Sequence, residues 1–404
     1  MTATLLQART HLLELFQAGV AAADPFDCVT RHIDQLPGSP SQIIAVGKAA
    51  VRMTQAALTA FPGTPALIVT NYENAQEIPG ARIYAAAHPV PDAGGLLAGA
   101  AVTAALQNAT GPVLALISGG GSALLPAPAG DLTLKDKAAV NAALLGAGLD
   151  IREMNVVRQQ LSDLKGGGFL RHAAPHPVYA FILSDVIGDD ISTIASGPTA
   201  PPLGTCQHAR DVLQGAGLWD NLPTAVRDHL SRNAPPALPP GDALNILVGS
   251  NSQSLEAMKH LGRATALPCP IEGDVQDAAR QICDQCLPGV TVWGGETTVR
   301  LKGSGTGGRN QELALRIAQE AKERGWKDWA CLQAGSDGRD GPTDAAGGLV
   351  DSETLSRLSA AGADLDALLA NNDSYAALQF AKDLVITGAT GTNVADLGAM
   401  IRLS

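Results

Sequence analysis

A run of glycines between two serines contains the residue types that most directly suggest chemistry. Ile117-Ser-Gly-Gly-Gly-Ser122 follows an apolar run typical of a buried strand and precedes Ala-Leu-Leu. Glycines let the backbone approach a ligand closely, and free N–H groups at the start of a following helix attract phosphate. The pattern favours phosphate binding over a turn that merely joins a strand to a helix. The residues assigned to this loop are Ser118, Gly119, Gly120, Gly121 and Ser122.

Two basic residues could meet a phosphoryl group. Lys48 follows a glycine at the end of a predicted strand, but the segment is not a Walker loop, since Gln42 stands where that motif requires glycine. Arg309 starts a predicted helix beside several glycines, where a guanidinium can clamp a phosphoryl group through two hydrogen bonds. A solvated lysine and a helix-capping or salt-bridging arginine are the ordinary alternatives. The local sequence leaves both alternatives open.

The glycines before Arg309 fit the pattern GxGxxG, with Gly303, Gly305 and Gly308 at its three positions. A dinucleotide-binding fold also requires an acidic residue about twenty positions later at a strand end. The nearest candidate at the end of a predicted strand, Asp337, lies too far along the chain. The pattern is therefore weak evidence for a dinucleotide site.

Two loops rich in aspartate follow predicted strands. The first runs from Asp185 to Asp190 and is followed by Ser196-Gly-Pro-Thr199, and the second runs from Ser336 to Asp344. Closely spaced carboxylates suit Mg²⁺, which usually takes one or two protein oxygens and leaves its other positions to water and phosphate. Solvated Asp-Gly turns are the alternative for both loops.

Further polar residues stand at predicted strand ends. Glu296 lies in Gly-Gly-Glu-Thr, and Thr392 and Asn393 lie in a small-residue loop, 386–394, that follows what we predict to be the final strand. His88 is the one histidine inside a motif-like run, and a packed or surface position is favoured over a catalytic one.

Composition limits the classes of partner. The chain has 404 residues and a formal charge of −11 without a long basic run, so we expect neither nucleic acid nor a membrane as a partner. Six scattered cysteines indicate a reducing compartment, and the close pair Cys283 and Cys286 lacks the further ligands of a zinc site. Charged residues interrupt the helical pattern of the first sixteen residues, which excludes a secretory or membrane segment there. We expect a cytoplasmic protein.

Short apolar runs alternate with longer Ala/Leu-rich stretches, which indicates parallel strands joined by crossover helices. The predicted strands are Ile43–Val46, Leu67–Val69, Val113–Ile117, Tyr179–Leu183, Asn245–Val248, Val290–Trp293, Trp329–Gln333 and Leu384–Ile386. The proline-rich segment Ala234–Gly241 can form neither a helix nor a central strand. We therefore predict an N-terminal domain over 1–236 and a C-terminal domain over 242–404.

Ten motifs occur in an order that resembles one family. They are VGKAA at Val46–Ala50, HPVPD at His88–Asp92, ISGGGSALL at Ile117–Leu125, NVVRQQLSDLKGG at Asn155–Gly167, LSDVIGDD at Leu183–Asp190, SGPT at Ser196–Thr199, GGET at Gly294–Thr297, GGRNQE at Gly307–Glu312, SDGRDGPTDAAGG at Ser336–Gly348 and TGTNVADL at Thr390–Leu397. Together they span nearly the whole chain and resemble the glycerate 2-kinases with a MOFRL-type C-terminal domain, some of which carry a hydroxypyruvate reductase label.

The resemblance implies an α/β protein with a larger Rossmann-like three-layer domain, whose sheet is mainly parallel, and a smaller MOFRL-type α/β domain. The active site would lie in the cleft between them. It also implies transfer of a phosphoryl group from ATP to the 2-hydroxyl of D-glycerate, with Mg²⁺, to give 2-phosphoglycerate and ADP. Phosphoryl transfer relies mainly on positioning and charge neutralisation, for which two cations, a metal ion and an anion-binding loop suffice.

The resemblance also implies roles for individual residues. The residues assigned to catalysis are Lys48, Arg309 and Asp185. Besides the loop Ser118–Ser122, the residues assigned to substrate or nucleotide binding are Ser196, Gly197, Glu296, Asn310, Thr392 and Asn393. The residues assigned to the metal are Asp189, Asp337 and Asp344.

Two other functions compete with this interpretation. An NAD(P)H-dependent hydroxypyruvate reductase would use the GxGxxG pattern, but it would need a ribose-binding acid and a proton donor that the sequence does not offer. A sensor that binds a sugar acid or phosphate without turnover would tolerate replacement of both cations. The sequence does not determine the number of subunits, and a homodimer is one of the assemblies it allows.

Overall fold

The chain is divided between two units in a computed structural model that describes residues 3–232 and 243–403. The parallel-sheet unit comprises Pro25–Val248, and the mixed-sheet unit comprises Met1–Asp24 with Gly249–Ser404. The predicted two-part α/β organisation is confirmed. The proline-rich segment Ala234–Gly241, predicted as the boundary, lies outside the described residues.

The parallel-sheet unit is built on six strands in the order β3-β2-β1-β4-β5-β6. They are β1 (Gln42–Val46), β2 (Ala66–Asn71), β3 (Ala81–Ala86), β4 (Val113–Ile117), β5 (Val178–Leu183) and β6 (Ala243–Gly249). The pairs from β3 across to β5 are parallel. This order is that of doubly wound dinucleotide-binding folds, and it places the carboxyl ends of β1 and β4 side by side. The predicted Rossmann-like sheet is therefore confirmed.

Both faces of this sheet are covered. On β1, Ile43 and Ala45 point to one face while Ile44 and Val46 point to the other, and all four are at most 2% exposed. Continuous apolar strands of this kind occur where helices pack on both faces of a parallel sheet. The burial explains why β1, β4 and β5 could be predicted from apolar runs alone.

The mixed-sheet unit contains seven further strands. They are β7 (Thr265–Ala266), β8 (Ile271–Asp274), β9 (Gly289–Thr298), β10 (Trp329–Gly335), β11 (Gly347–Asp351), β12 (Leu384–Val385) and β13 (Asp396–Arg402). The order is β12-β11-β10-β13-β9-β7, with β8 also paired to β9. The pairs from β12 to β9 are antiparallel, whereas β7 and β8 lie parallel to β9.

Two predictions about this part of the chain were wrong. The expectation of parallel strands joined by crossover helices fails in this sheet, where β10 pairs antiparallel with both β11 and β13, and β13 pairs antiparallel with β9. The loop 386–394 was placed after the final strand, whereas it leads into β13. Gly-rich and Ala-rich strands such as Gly347–Asp351 lack the apolar run that identified the others.

Helices flank both sheets. They are α1 (Ala3–Ala22), α2 (Pro25–His32), α3 (Ala50–Ala60), α4 (Ala93–Gln107), α5 (Gly121–Leu124), α6 (Leu134–Gly146), α7 (Ile151–Gln160), α8 (Gly168–Ala173), α9 (Cys206–Gly215), α10 (Thr224–Ser231), α11 (Asn251–Gly262), α12 (Val275–Gln285), α13 (Arg309–Glu323), α14 (Thr354–Ala360), α15 (Leu365–Ala370) and α16 (Ser374–Ala381). Short 3₁₀ turns occur at Ile33–Gln35, Tyr72–Asn74, Ile194–Ser196 and Trp219–Asn221. Within residues 3–232 and 243–403, no helix is both long and apolar enough to cross a membrane.

The first helix belongs to the mixed-sheet unit. Leu12, Leu15 and Phe16 on α1 are buried in a cluster with residues of β10, β11 and β13. Arg9 is bound by the carboxylates of Asp351 and Asp383. The sequence-based domains 1–236 and 242–404 remain a prediction, and the compact units differ from them by placing the first 24 residues with the C-terminal part. Helical periodicity shows which side of α1 is apolar but not which sheet it covers.

Substitution of Leu12 by alanine tests the attachment of α1. Leu12 is 0% exposed and its neighbour Leu13 is 37% exposed, so the two positions form a matched pair. We expect Leu12→Ala to lower the free energy of unfolding by about 2–5 kcal/mol. Leu13→Ala should change it by less than about 1 kcal/mol. Urea unfolding followed by tryptophan fluorescence measures both, and equal losses would show that α1 does not pack through this face.

Candidate functional site

The loops after β1 and β4 are joined through their backbones. Lys48 N donates to the carbonyl of Gly119 at 2.9 Å, and Ala49 N donates to Ser118 Oγ at 3.1 Å. Gly47 has a φ of +125°, and a Cβ there would lie 2.2 Å from Ser118 Oγ. Only glycine allows this approach. The structure therefore brings Lys48 and the predicted phosphate loop together, and gives Ser118 the role of fixing the two loops.

The glycine loop leaves consecutive backbone donors unused. The N–H groups of Gly119, Gly120, Gly121 and Ser122 donate to no acceptor in the described part of the chain. Gly120 has a φ of +83°, which turns the chain into the short helix α5. Successive unpaired N–H groups at such a turn form a concave site for an anion. The arrangement can bind phosphate oxygens without further change.

Asp185 and Asp189 follow β5, the strand next to β4. A Cβ on Gly119 would lie 2.0 Å from Asp185 Oδ2, so this carboxylate packs directly against the glycine loop. Asp189 has a φ of +56°, and its buried Oδ1 has no hydrogen-bond partner among the described residues. A buried carboxylate oxygen without a donor is costly unless a cation or water meets it.

Carboxylates at this loop have the donor chemistry that Mg²⁺ prefers. No group of three His, Cys, Asp or Glu side chains that could hold a metal occurs within 3–232 or 243–403. The assignment of Asp189, Asp337 and Asp344 to the metal stays a prediction. Mg²⁺ commonly binds through one or two carboxylates and takes phosphate and water for the rest, so the orphan oxygen of Asp189 fits that partial role.

Ser196 and Gly197 lie against the other end of the glycine loop. Ser196 is fully buried, and its Oγ lies 2.7 Å from Ser122 Oγ. Lys165 Nζ donates to the carbonyl of Ser122 at 2.8 Å and to Ser196 Oγ at 3.4 Å. Gly197 contributes its backbone, since its carbonyl accepts from Gly167 N at 2.9 Å. Lys165 received no role from the sequence, although its segment carried the family resemblance.

His88 also lies at the glycine loop. A Cβ on Gly120 would lie 3.4 Å from His88 Nε2 and 3.3 Å from Lys48 Cγ. Burial and the nearby Lys48 ammonium lower the pKa of His88, so the imidazole is neutral near pH 7. A packed or surface histidine was expected here, and the position of His88 beside Lys48 could not be predicted from the motif alone.

Arg309 is held by carboxylates in the mixed-sheet unit. Its Nε and Nη2 donate to the two oxygens of Asp396 at 2.7 and 3.0 Å, and Nη1 pairs with Glu296 at 3.1 Å. The Asp396 side chain is 3% exposed and that of Glu296 is 48% exposed. Burial raises the pKa of Asp396, while its bonds to Arg309 lower it. The structure thus brings Arg309 and Glu296 together and adds Asp396, which the sequence analysis did not assign.

Asn310 lies in the buried network beneath Arg309. Its Nδ2 donates to Asp396 at 2.9 Å and to Asp340 at 3.2 Å, and its Oδ1 accepts from Gln333 at 2.7 Å. Asp340 also accepts from the backbone N–H groups of Asn310 and Gln311 at the start of α13. Burial raises the pKa of Asp340 to about 6. Because every polar atom of the Asn310 side chain is engaged, the network holds the helix start rather than leaving Asn310 open to a ligand.

The remaining predicted residues make local bonds. Thr392 Oγ1 donates to the carbonyl of Ala23 at 2.6 Å, which fixes the end of α1, and Asn393 Oδ1 accepts from Ala395 N at 3.2 Å. Asp337 accepts from the backbone N–H of Arg339, and Asp344 accepts from the hydroxyl of Tyr375 at 2.8 Å.

Another loop of the same unit packs against the GxGxxG loop and accepts hydrogen bonds from its backbone. Asn372 Oδ1 accepts from Lys302 N and Gly303 N, and the neighbouring residues Asn371 and Asp373 accept from the backbone of 304–306. A Cβ on Gly303 would lie 2.4 Å from the Asn371 backbone. These glycines permit close packing of two loops, and their donors are not available to a pyrophosphate.

The fold and these contacts define an α/β protein whose doubly wound sheet carries an anion-binding loop beside a lysine. Family models agree with this class: a domain of unknown function, DUF4147, matches residues 11–231, and the MOFRL family matches residues 289–396. The chain belongs to the family of glycerate 2-kinases that combine these two regions.

Three similar proteins illustrate the relationship. A D-glycerate 2-kinase of Thermotoga maritima is 36% identical, over 95% of this chain and 96% of the relative. A relative from Agrobacterium vitis, whose provisional name is hydroxypyruvate reductase, is 38% identical. The match covers 99% of this chain and 96% of the relative. The crystal structure of a glycerate kinase from Thermotoga maritima has a TM-score of 0.89 at 35% identity, covering 98% of this chain and 99% of that one.

Replacement of the two carboxylates that bind Arg309 should have unequal effects on stability. Asp396→Asn removes the charge of a buried partner and leaves a half-buried guanidinium poorly compensated, so we expect a loss of about 3–5 kcal/mol. Glu296→Gln changes a partner that is 48% exposed and should cost at most about 1 kcal/mol. Urea unfolding of the two variants measures the difference. Similar losses would mean that Asp396 does not carry the pairing.

Proposed function

We propose that the chain transfers the γ-phosphoryl group of ATP to the 2-hydroxyl of D-glycerate, giving 2-phosphoglycerate and ADP. The membership in the glycerate 2-kinase family supports this reaction, as does the shared fold with a glycerate kinase. The observation within the structure that supports it most is the row of four unpaired N–H groups at Gly119–Ser122, next to Lys48. A phosphorylated substrate needs such donors, and an unphosphorylated one does not.

Several groups of the parallel-sheet unit can together bind the phosphate and neutralise its charge. The N–H groups of Gly119–Ser122 bind phosphate oxygens, and the Lys48 ammonium faces the charge that builds up during transfer. Asp189, with Asp185 beside the loop, would hold Mg²⁺ through one or two carboxylates. When bound, Mg²⁺ neutralises phosphate charge and aligns the donor. Asp337 and Asp344 remain further candidates for the metal.

Arg309 contributes a fixed charge in this proposal. A guanidinium has five N–H groups, and the hydrogen bonds to Asp396 use one on Nε and one on Nη2, while Nη1 forms an ion pair with Glu296. The second N–H of Nη2 takes no part in the hydrogen bonds to Asp396. A guanidinium held this way can bind a phosphoryl or carboxylate group through two parallel hydrogen bonds, and little side-chain freedom is lost on binding.

The reductase alternative loses its structural support. Its main evidence was the pattern at Gly303, Gly305 and Gly308, and the N–H groups of 302–306 are bonded to Asn371, Asn372 and Asp373.

Replacement of Lys48 by alanine tests the proposed reaction. Because Lys48 would supply charge at the transferring group, we expect Lys48→Ala to lower kcat/KM for D-glycerate by at least about 100-fold while folding is retained. Lys135→Ala, at an exposed lysine of the same unit, should leave activity within about twofold. A coupled assay for ADP release with ATP, Mg²⁺ and D-glycerate measures turnover, and NMR identifies the phosphorylated carbon.

Two results would contradict the proposal. Formation of 3-phosphoglycerate would place the transfer on the other hydroxyl. Oxidation of NADH by hydroxypyruvate, without any ADP release from ATP and D-glycerate, would restore the reductase.

A further inference from the structure

A chain of hydrogen-bonding groups leads inward from the glycine loop. Ser122, at the partly exposed end, has its Oγ 2.7 Å from the buried Oγ of Ser196, which in turn lies 3.4 Å from Lys165 Nζ. Asn155 Oδ1 accepts from Ser196 Oγ at 3.2 Å and is also buried. Lys165 Nζ also donates to the carbonyl of Ser122 at 2.8 Å, so this chain of groups both begins and ends at the glycine loop.

Lys165 sits in surroundings that favour a neutral amine. It is 5% exposed, and its basic neighbours are Lys137 on α6 and Arg158 on α7. Burial lowers the pKa of Lys137 itself to about 7, and the carboxylate of Asp163 acts on Lys137 in the opposite direction. Burial first, and these two basic groups second, lower the pKa of Lys165 well below its ordinary value. A neutral amine has a lone pair that can accept a proton.

Ser196 is held in a backbone conformation that non-glycine residues rarely adopt. Ala195, Ser196 and Gly197 have φ angles of +50°, +61° and +66°. The carbonyl of Ser196 accepts from Gly166 N at 3.1 Å and from Gln159 Nε2 at 3.2 Å, which fixes the turn. Unusual backbone of this kind persists where surrounding bonds over-determine it, often at functional sites. Here it places the Ser196 hydroxyl between Ser122 and Lys165.

We propose that Ser122, Ser196 and Lys165 form a proton relay that deprotonates the hydroxyl group accepting the phosphoryl group. This inference rests on the proposed function. The substrate O–H breaks and its proton passes to Ser122 Oγ, and the Ser122 proton passes to Ser196 Oγ. The Ser196 hydroxyl turns from Asn155 Oδ1, and its proton passes to the lone pair of neutral Lys165 Nζ. The substrate oxygen forms a bond to the γ-phosphorus while the bond between that phosphorus and the ADP oxygen breaks, and ADP keeps the electron pair. Lys165 returns its proton to water through the same groups after product leaves.

The relay has a consequence that does not depend on glycerate. An arylphosphonofluoridate or alkylphosphonofluoridate reacts with a serine whose proton is removed as its oxygen attacks. The Ser122 Oγ–phosphorus bond forms, the phosphorus–fluorine bond breaks, fluoride leaves, and the proton passes through Ser196 to Lys165. Ser122 should therefore be labelled, whatever hydroxyl the enzyme phosphorylates.

Replacement of Ser196 by alanine interrupts the relay without changing any charge. We expect Ser196→Ala to lower the rate of Ser122 labelling and the kcat for D-glycerate by about 100-fold each, with KM changed less than about threefold. Ser192→Ala in the same loop is the matched control, since Ser192 Oγ donates to Asp190 and not to the relay. Mass spectrometry locates the label, and circular dichroism checks that both variants fold.

The pH dependence separates a relay from a structural role. With Lys165 as proton acceptor, labelling and kcat of the wild-type protein fall as pH drops through the lowered pKa of the amine, because the ammonium has no lone pair. In Ser196→Ala the residual rate should no longer follow that titration. Lys165→Met gives the same expectation, and Ser196→Ala carries the test if Lys165→Met does not fold.

Each outcome bears on the relay. Labelling and kcat in Ser196→Ala equal to those of Ser192→Ala would overturn it, even if D-glycerate is phosphorylated. Ser196-dependent labelling of Ser122 in a protein that does not phosphorylate D-glycerate would support the relay and reject the proposed function. A wild-type protein that phosphorylates D-glycerate but is not labelled at Ser122 would likewise overturn the relay.

Discussion

Backbone N–H groups must be bonded or exposed to a ligand or water, and this constraint decides what the two glycine-rich loops do. Gly47 after β1 and Gly120 after β4 let the two loops approach closely, and four successive N–H groups of the second loop remain unpaired within the described residues. In the loop after β9, the corresponding donors are bonded by residues 371–373. Two loops of similar composition therefore differ in role: one forms an anion-binding site, and the other packs tightly against a neighbouring loop.

Carboxylates provide the matching constraint in the mixed-sheet unit. Asp340 accepts the first N–H groups of α13, and Asp396 neutralises Arg309 and accepts from Asn310. Each buried charge has a positive or hydrogen-bonding partner, which offsets the cost of removing it from water. The network continues through Gln333 to the indole N–H of Trp293, so the position of Arg309 is tied to the centre of the sheet. The position of the Arg309 guanidinium is therefore fixed by that network, and not by the start of α13 alone.

The sequence was informative where burial produces an apolar run and where a turn needs glycine. Val113–Ile117 and its glycine loop could be predicted because both signals coincide. Gly347–Asp351 was missed because its small residues pack against β10 without such a run, and the sheet order there follows from long-range pairing. The GxGxxG pattern suggested a site because a sequence shows glycines but not the acceptors that occupy their N–H groups. Asp396 and Lys165 were assigned no role although both lie in family motifs, since their roles depend on partners more than thirty residues away.

Ser122 belongs to both of the features found in the parallel-sheet unit. Its N–H is one of the four free donors of the glycine loop, and its Oγ is the outer end of the chain that leads to Lys165. A group that binds phosphate through its backbone is thereby held close to the place where a phosphoryl group would be attacked. A buried lysine would be an unfavourable way to fix such a loop, because burial of an amine costs more than burial of an apolar side chain. Retention of an amine beside two further basic groups, Lys137 and Arg158, is therefore easier to explain by proton acceptance than by packing.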